Sequence, residues 1–329
     1  MRIIFFLVSA LAVFLLVFPP VFCQSETVGT GTGTRPSVPS SSPADGTVLS
    51  SDPVSVGFLP GWDDGYAVTL LLDGEETVLP LSDVLTGILL AELPAGFSYE
   101  TRCAQAVAAR TYLLYRIRHG LPVSGDSGVC CAYFTEEEGK DFWGELWERA
   151  LARARKAVSA TDGEVLLWEG EPACTVFHAM SWERTENAEN VWGYPVPYLV
   201  SVPTPEPPDL AGMRREYLFS AETLAEMTGQ PLPLSAEPIR DDDGSITAVS
   251  LGGTVYPRTA LRSLLGLRSA RITEAEQTEN GLRLVTAGYG HGVGMSQYGA
   301  QEMALSGKSY REILAHYYPG LVLAFFPAV

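Results

Sequence analysis

One glutamate stands out for its neighbours. Glu92 closes the run "GILLAE" and precedes "LPAGF", so almost every residue beside it is apolar. It falls at the end of an expected helix, where the backbone dipole disfavours negative charge. Desolvation and the dipole both push a carboxyl pKa upward, which lets the group hold a proton for donation at neutral pH. A second candidate is His291, set between Gly290 and Gly292 in "AGYGHGVGMSQYGAQ". Those glycines leave the imidazole uncovered and allow backbone to approach a ligand closely. Ser296 suits an N-cap, leaving N–H groups of the next helix free for an anion or a sugar amide oxygen. The third candidate, "FHAMSWERTENAENVWGYPVPYL", sets His178, Ser181, Thr185, Glu186 and Asn187 beside Trp182 and Trp192. Polar groups next to flat aromatic faces suit carbohydrate. Each has a plainer reading in isolation: a surface glutamate, a tight turn around a histidine, and a capped polar loop. No G-x-x-x-x-G-K-[ST], HExxH or G-x-S-x-G occurs, which argues against a P-loop, a zincin and a serine-hydrolase elbow.

The elements that must carry these residues follow from pattern. "YAVTLLLDGEETVLPL" reads as a hairpin turned at Asp-Gly. A helix capped by Ser82 or Asp83 should run to about Glu92, because Pro94 disfavours helical geometry at Leu93. A second helix is expected over 99–117, with alanines that admit a close neighbour, and helical spacing recurs over 141–158. A hairpin turned at Glu169-Gly170 follows. Residues 203–245 are proline-rich and acidic around the short helix "AETLAEMTG", then come the strand "SITAVSLGG", a helix near 258–265 and the strand "GLRLVTAG". Helices should start from Ser296 and Ser309. The fold class is α+β: one main domain of mixed helices and antiparallel strands, spanning 54–329, with a proline-rich acidic insert near 203–245.

Residues 1–23 carry one arginine before "IIFFLVSALAVFLLVF" and read as a signal peptide or membrane anchor. Residues 24–53, rich in Ser, Thr, Gly and Pro, read as a flexible tether. The folded part is therefore expected outside the cytoplasm. A formal net charge of −17 with no basic run argues against a nucleic-acid partner. Cys103, Cys130, Cys131 and Cys174 are too few for a disulfide scaffold and read as buried or unpaired thiols. The loop of Cys130-Cys131 holds no histidine, so a four-ligand zinc site would need distant help. No metal or other cofactor is expected.

Five ordered segments together resemble the stage II sporulation protein D family and the LytB amidase-enhancer domain. They are "LPLSDVLTGILLAELPAGF", "AQAVAARTY", "TENAENVWGYPVPYLVSVP", "LRSLLGLRSARI" and "GYGHGVGMSQYGAQEMALSGKSYREILAHYYPG". The resemblance implies a peptidoglycan lytic transglycosylase that cuts MurNAc–GlcNAc linkages, with denuded strands as substrate and a 1,6-anhydro product, in wall remodelling such as sporulation. It implies an amidase and membrane sporulation proteins as partners. The alternative it carries is a non-catalytic, wall-binding amidase enhancer. The family's catalytic glutamate falls on Glu92, in Ala91-Glu92-Leu93-Pro94. Its substrate contacts fall on Arg110, Ser181, Thr185, Glu186, Asn187, His291, Gly292, Ser296, Gln297 and Tyr298. A single carboxyl suffices because the sugar's own C6 hydroxyl is the nucleophile, whereas ordinary glycosidases need two. The chain departs from the family where Trp182 and Glu183 replace glycines and where the cysteine loop shortens to "GVCCAY".

Overall fold

The Asp73-Gly74 pair turns the first hairpin, with φ of 49° and 87°, both in the left-handed region that such a tight turn requires. It joins the antiparallel strands Ala67–Leu72 and Glu75–Pro80, in register from Ala67↔Pro80 to Leu72↔Glu75. The structure, a computed structural model, describes residues 61–326. The expected signal peptide or membrane anchor and the expected tether lie outside these residues. No helix among the described residues is long and apolar enough to cross a membrane.

The helix Leu81–Glu92 follows directly, with Leu81, Leu85 and Ile88 on one buried face. It starts one residue before the expected caps. Pro80 sets the entry, and the Leu81 amide donates to Tyr66 O at 2.8 Å, so no side-chain cap is needed. The helix Tyr99–Arg118 is capped by Ser98, whose hydroxyl accepts from the Thr101 amide. Its small residues let it serve two cores. Cys103, Ala106, Ala109 and Leu113 face a cluster with Leu85 and Ile88, while Ala104, Val107 and Ala108 face one with Val293, Met295 and Tyr317. Helical spacing over 141–158 resolves into two helices, Glu136–Trp143 and Trp147–Ala160. Gly144 at φ 52° breaks the ladder between them.

The strands form several small sheets in an α+β arrangement. Glu164–Trp168 pairs antiparallel with Glu171–Pro172 across the Glu169-Gly170 turn, and on its other edge with Val322–Phe325. Two short pairings are parallel: Leu70-Leu71 with Val123-Ser124, and Met295-Ser296 with Phe177-His178. Residues 214–287 enclose a separate apolar cluster that includes Leu224, Val249, Leu251, Leu261, Leu282 and Leu284. This part leaves and rejoins the rest at one place. Arg214 pairs with Ala287, and the Gly288 amide donates to Met213 O at 2.8 Å.

Candidate functional site

Glu92 is the last residue of its helix because Leu93 turns extended, φ −113° and ψ 132°, ahead of Pro94. Its carboxylate has two partners. Oε1 accepts from the Ala132 amide at 2.8 Å, and Oε2 accepts from Gln297 Nε2 at 3.0 Å. The residue keeps a partly exposed face, yet its carboxyl group is desolvated by its surroundings. That burial raises its pKa above the ordinary glutamate value, against the smaller lowering effect of Gln297 and then Ala132. Tyr298, beside Gln297, packs edge-on against Phe97, with ring centroids 5.0 Å apart. Glu92, Gln297 and Tyr298 therefore share one place.

The amide of Ala132 is a partner that sequence reading missed. The segment after Cys130-Cys131 lies along the Glu92 helix, and Gly87 makes this possible. A Cβ there would fall 2.2 Å from Tyr133 Cε2. The Phe134 amide donates to Gly87 O at 3.2 Å, and Trp143 Nε1 donates to Leu90 O at 3.3 Å. The only signal was the Ala-Tyr step in "GVCCAY".

Gln297 is aimed by a buried carboxylate. Ser296 caps the helix Gln297–Leu305, accepting from the Gly299 amide at 3.3 Å. The Ser296 hydroxyl donates to Glu206, which also accepts from the Ser181 amide at 2.9 Å and from the Thr204 hydroxyl. Thr204 in turn meets Tyr317 Oη at 3.0 Å. A Cβ on Gly299 would stand 2.1 Å from Tyr317 Oη, so only glycine admits this contact. At the helix start that invited a ligand anion, the Gly299 amide is thus spent on Ser296 Oγ, itself held by Glu206, and the Tyr298 amide on Ala179 O at 3.0 Å. Glu206 sits in "PTPEPP", where prolines hid it among loop residues.

The short parallel pairing brings the two histidines together, with ring centroids 5.6 Å apart. The glycines beside His291 admit the protein's own chain and leave the ring half-buried, not bare. A Cβ on Gly290 would lie 2.8 Å from His178 Cβ, and one on Gly294 would lie 2.1 Å from Val176 O. His291 Nδ1 accepts from the Val293 amide at 3.1 Å, and Trp192 lies 5.9 Å away, ring to ring. Burial, then the charge of Arg262, lowers its pKa to about 4, so it is neutral at neutral pH. His178 Nδ1 donates to Val293 O at 3.1 Å, leaving Nε2 to accept from the Ser181 hydroxyl at 2.6 Å. That connectivity suits a nucleophile and its base. Burial and the neighbouring His291 lower the His178 pKa to about 3, too weak a base for that task.

The other expected contacts are partly absorbed into the fold. Thr185 Oγ1 accepts from the Val202 amide, and Asn187 Oδ1 from the Ser201 amide. The Glu186 amide donates to Gly292 O at 2.7 Å, and its carboxylate takes both Arg258 nitrogens at 3.0 and 2.6 Å. Glu186, Gly292, His291, Ser181, Trp182 and Arg271 border one small pocket, with free volume of only about 10 Å³. Glu183, in a family glycine position, has φ 61°. Arg110 is elsewhere. Fully buried, it forks onto Asp63 at 2.8 and 2.5 Å and donates to Glu164 O and Val158 O, so it holds the core together and has no face for a substrate. Among the described residues, no group of three or more His, Cys, Asp or Glu side chains is arranged to hold a metal ion.

The family profile described as "SpoIID: Stage II sporulation protein" matches residues 75–168, the part that contains Glu92 and Ala132. Stage II sporulation protein D of Bacillus amyloliquefaciens is 34% identical over 262 residues, covering 74% of each chain. That of Bacillus subtilis (strain 168) is 31% identical over 289 residues, covering 83% of each. A Bacillus subtilis protein named amidase enhancer is 26% identical over 297 residues, covering 73% of this chain and 40% of its own length. On these similarities the chain belongs to the stage II sporulation protein D family.

Proposed function

We propose that this protein is a lytic transglycosylase of peptidoglycan, acting on MurNAc–GlcNAc linkages of strands stripped of stem peptides. The observation that carries the reading is Glu92, a desolvated carboxyl with a raised pKa and two aimed donors. Protonated Glu92 gives its proton to the glycosidic oxygen as the C1–O bond breaks. The resulting carboxylate takes the proton of the C6 hydroxyl while that oxygen bonds to C1, closing the 1,6-anhydro ring with no water consumed. Ala132 and Gln297 hold the carboxylate during the second half. The pocket bordered by His291 and Trp182 supplies the other wall of a glycan groove, with neutral His291 positioning sugar hydroxyls. The acting chain is exported and held near a membrane by residues 1–23, beside a wall amidase and membrane sporulation proteins.

The test is product analysis on denuded glycan. Wild type should release 1,6-anhydromuramic ends, and Glu92→Gln should abolish them. Equal release by both proteins would refute the mechanism. Glycan binding with no anhydro product from wild type would favour the second reading, a non-catalytic amidase enhancer. The name of the Bacillus subtilis relative and the bulk of Trp182 and Glu183 in family glycine positions favour that second reading.

A further inference from the structure

The cysteine pair beside Glu92 is not used by the chemistry above. Cys130 and Cys131 place their sulfur atoms 3.8 Å apart on the same side of the chain. Cys131 is buried, while Cys130 is partly exposed at the end of an exposed turn, residues 126–129. Buried Arg116 straps this loop at both ends, from Nε to Pro122 O at 2.9 Å and from a terminal nitrogen to Val129 O. The Cys130 amide is tied to Asp126 O at 2.8 Å. The next peptide after Cys131 is the one whose N–H holds Glu92 Oε1.

We propose that Cys130 and Cys131 form a redox-modification site, a dithiol that exchanges with an external disulfide and closes into an eight-membered ring. The Cys130 thiolate attacks one sulfur of the incoming disulfide, forming a mixed disulfide and releasing one thiolate. Cys131 then loses its proton and attacks the Cys130 sulfur, releasing the second thiol. Two protein thiols are oxidised and one external disulfide is reduced.

Roles divide by environment. The hydrogen bond with the Cys131 thiol and the charge of Arg116 favour the Cys130 thiolate against partial burial, which makes Cys130 the attacking sulfur. Cys131 is held far above the ordinary thiol value by its bond to Cys130, by burial and by the charges of Cys130 and Glu92, which suits a resolving thiol. Adjacent cysteines stand closer in the backbone than disulfides favour, so the ring is strained and readily reduced again. Closing it alters the torsions of Cys131 and rotates the Ala132 N–H off Glu92. Loss of one donor to a carboxylate raises its proton affinity by about tenfold.

The effect on cleavage rests on the reading of Glu92 as acid/base, whereas the thiol chemistry does not. The purified folded chain would be treated with oxidised glutathione, then dithiothreitol, with peptide mass mapping, carboxyl infrared titration of Glu92 and the glycan assay at each stage. The expected result is a Cys130-Cys131 peptide lighter by two hydrogens, reversed by dithiothreitol, with the Glu92 titration moved to higher pH. Cys130→Ser should neither form the ring nor respond. Free thiols after oxidation, a mixed disulfide that never resolves, or a ring that leaves Glu92 unchanged would each overturn the proposal. A closed ring that shifts Glu92 in a protein with no cleavage activity would sustain it and count only against the transglycosylase reading.

Discussion

Gln297→Ala removes one of the two donors on Glu92 and isolates what that amide does. The bond is 3.0 Å, from a neutral donor to a charged acceptor, a class worth about 1.5–3 kcal/mol. Glu92 keeps a partly exposed face, so water replaces some of the loss and about 1.4 kcal/mol is a fair expectation, a tenfold change in proton affinity. The direction follows from the charge. Gln297 favours the carboxylate, so its loss raises a pKa that burial has already raised. The pH–rate profile of kcat/KM on denuded glycan should fall on its alkaline side as Glu92 deprotonates, and in Gln297→Ala that fall should move about one pH unit upward. Stability obeys the same linkage. A carboxyl whose folded pKa exceeds its unfolded pKa binds more protons when folded, so stability declines as pH rises from the unfolded to the folded value. Glu92→Gln should flatten that decline. An alkaline limb that stays put, or shifts to lower pH, would refute the assignment of that limb to Glu92 and of Gln297 to its control.

Three further substitutions test the supporting frame. Glu206→Ala strips the acceptor from the Ser181 amide and from two hydroxyls, and should cost about 3–5 kcal/mol in urea denaturation, with Glu206→Gln milder. Gly87→Ala drives a methyl group into Tyr133 and should destabilise by about 1–3 kcal/mol while lowering kcat, because Ala132 is displaced from Glu92. Arg110→Met leaves Asp63 buried without its partner, and should lower the unfolding midpoint by the equivalent of about 3–5 kcal/mol, while the protein that remains folded binds denuded glycan as wild type does.

Local rules reached most of the elements. Pro94 stops the Glu92 helix, Asp-Gly turns the first hairpin, a helix stands at Arg258–Leu265, and Ser296 and Ser309 cap the last two helices. What stayed hidden depends on contacts between distant residues. Ala132 contributes a backbone amide, which no side-chain pattern announces. Glu206 sits in a proline-rich run whose composition suggests a solvated loop, yet two donors from elsewhere join Thr204 of the same run in converging on it. Arg110 illustrates the opposite error. Its place in a matching motif said that it matters, and only burial against Asp63 says for what.

The junction at Met213 and Gly288 makes residues 214–287 an exchangeable cassette. The chain enters and leaves through neighbouring backbone positions, and Arg268 O also holds the Gly290 amide at 2.9 Å, so a replacement that keeps this contact can vary in length elsewhere without moving the ends it joins. It lines the pocket with Arg258, Ser269, Ala270, Arg271 and Ala287, of which Arg258 and Arg271 meet Glu186 from across the joint. Replacement would reshape one jaw of the pocket and leave Glu92, Gln297 and Ala132 in place. Pocket shape and the setting of Glu92 can therefore be varied independently of each other in chains built this way.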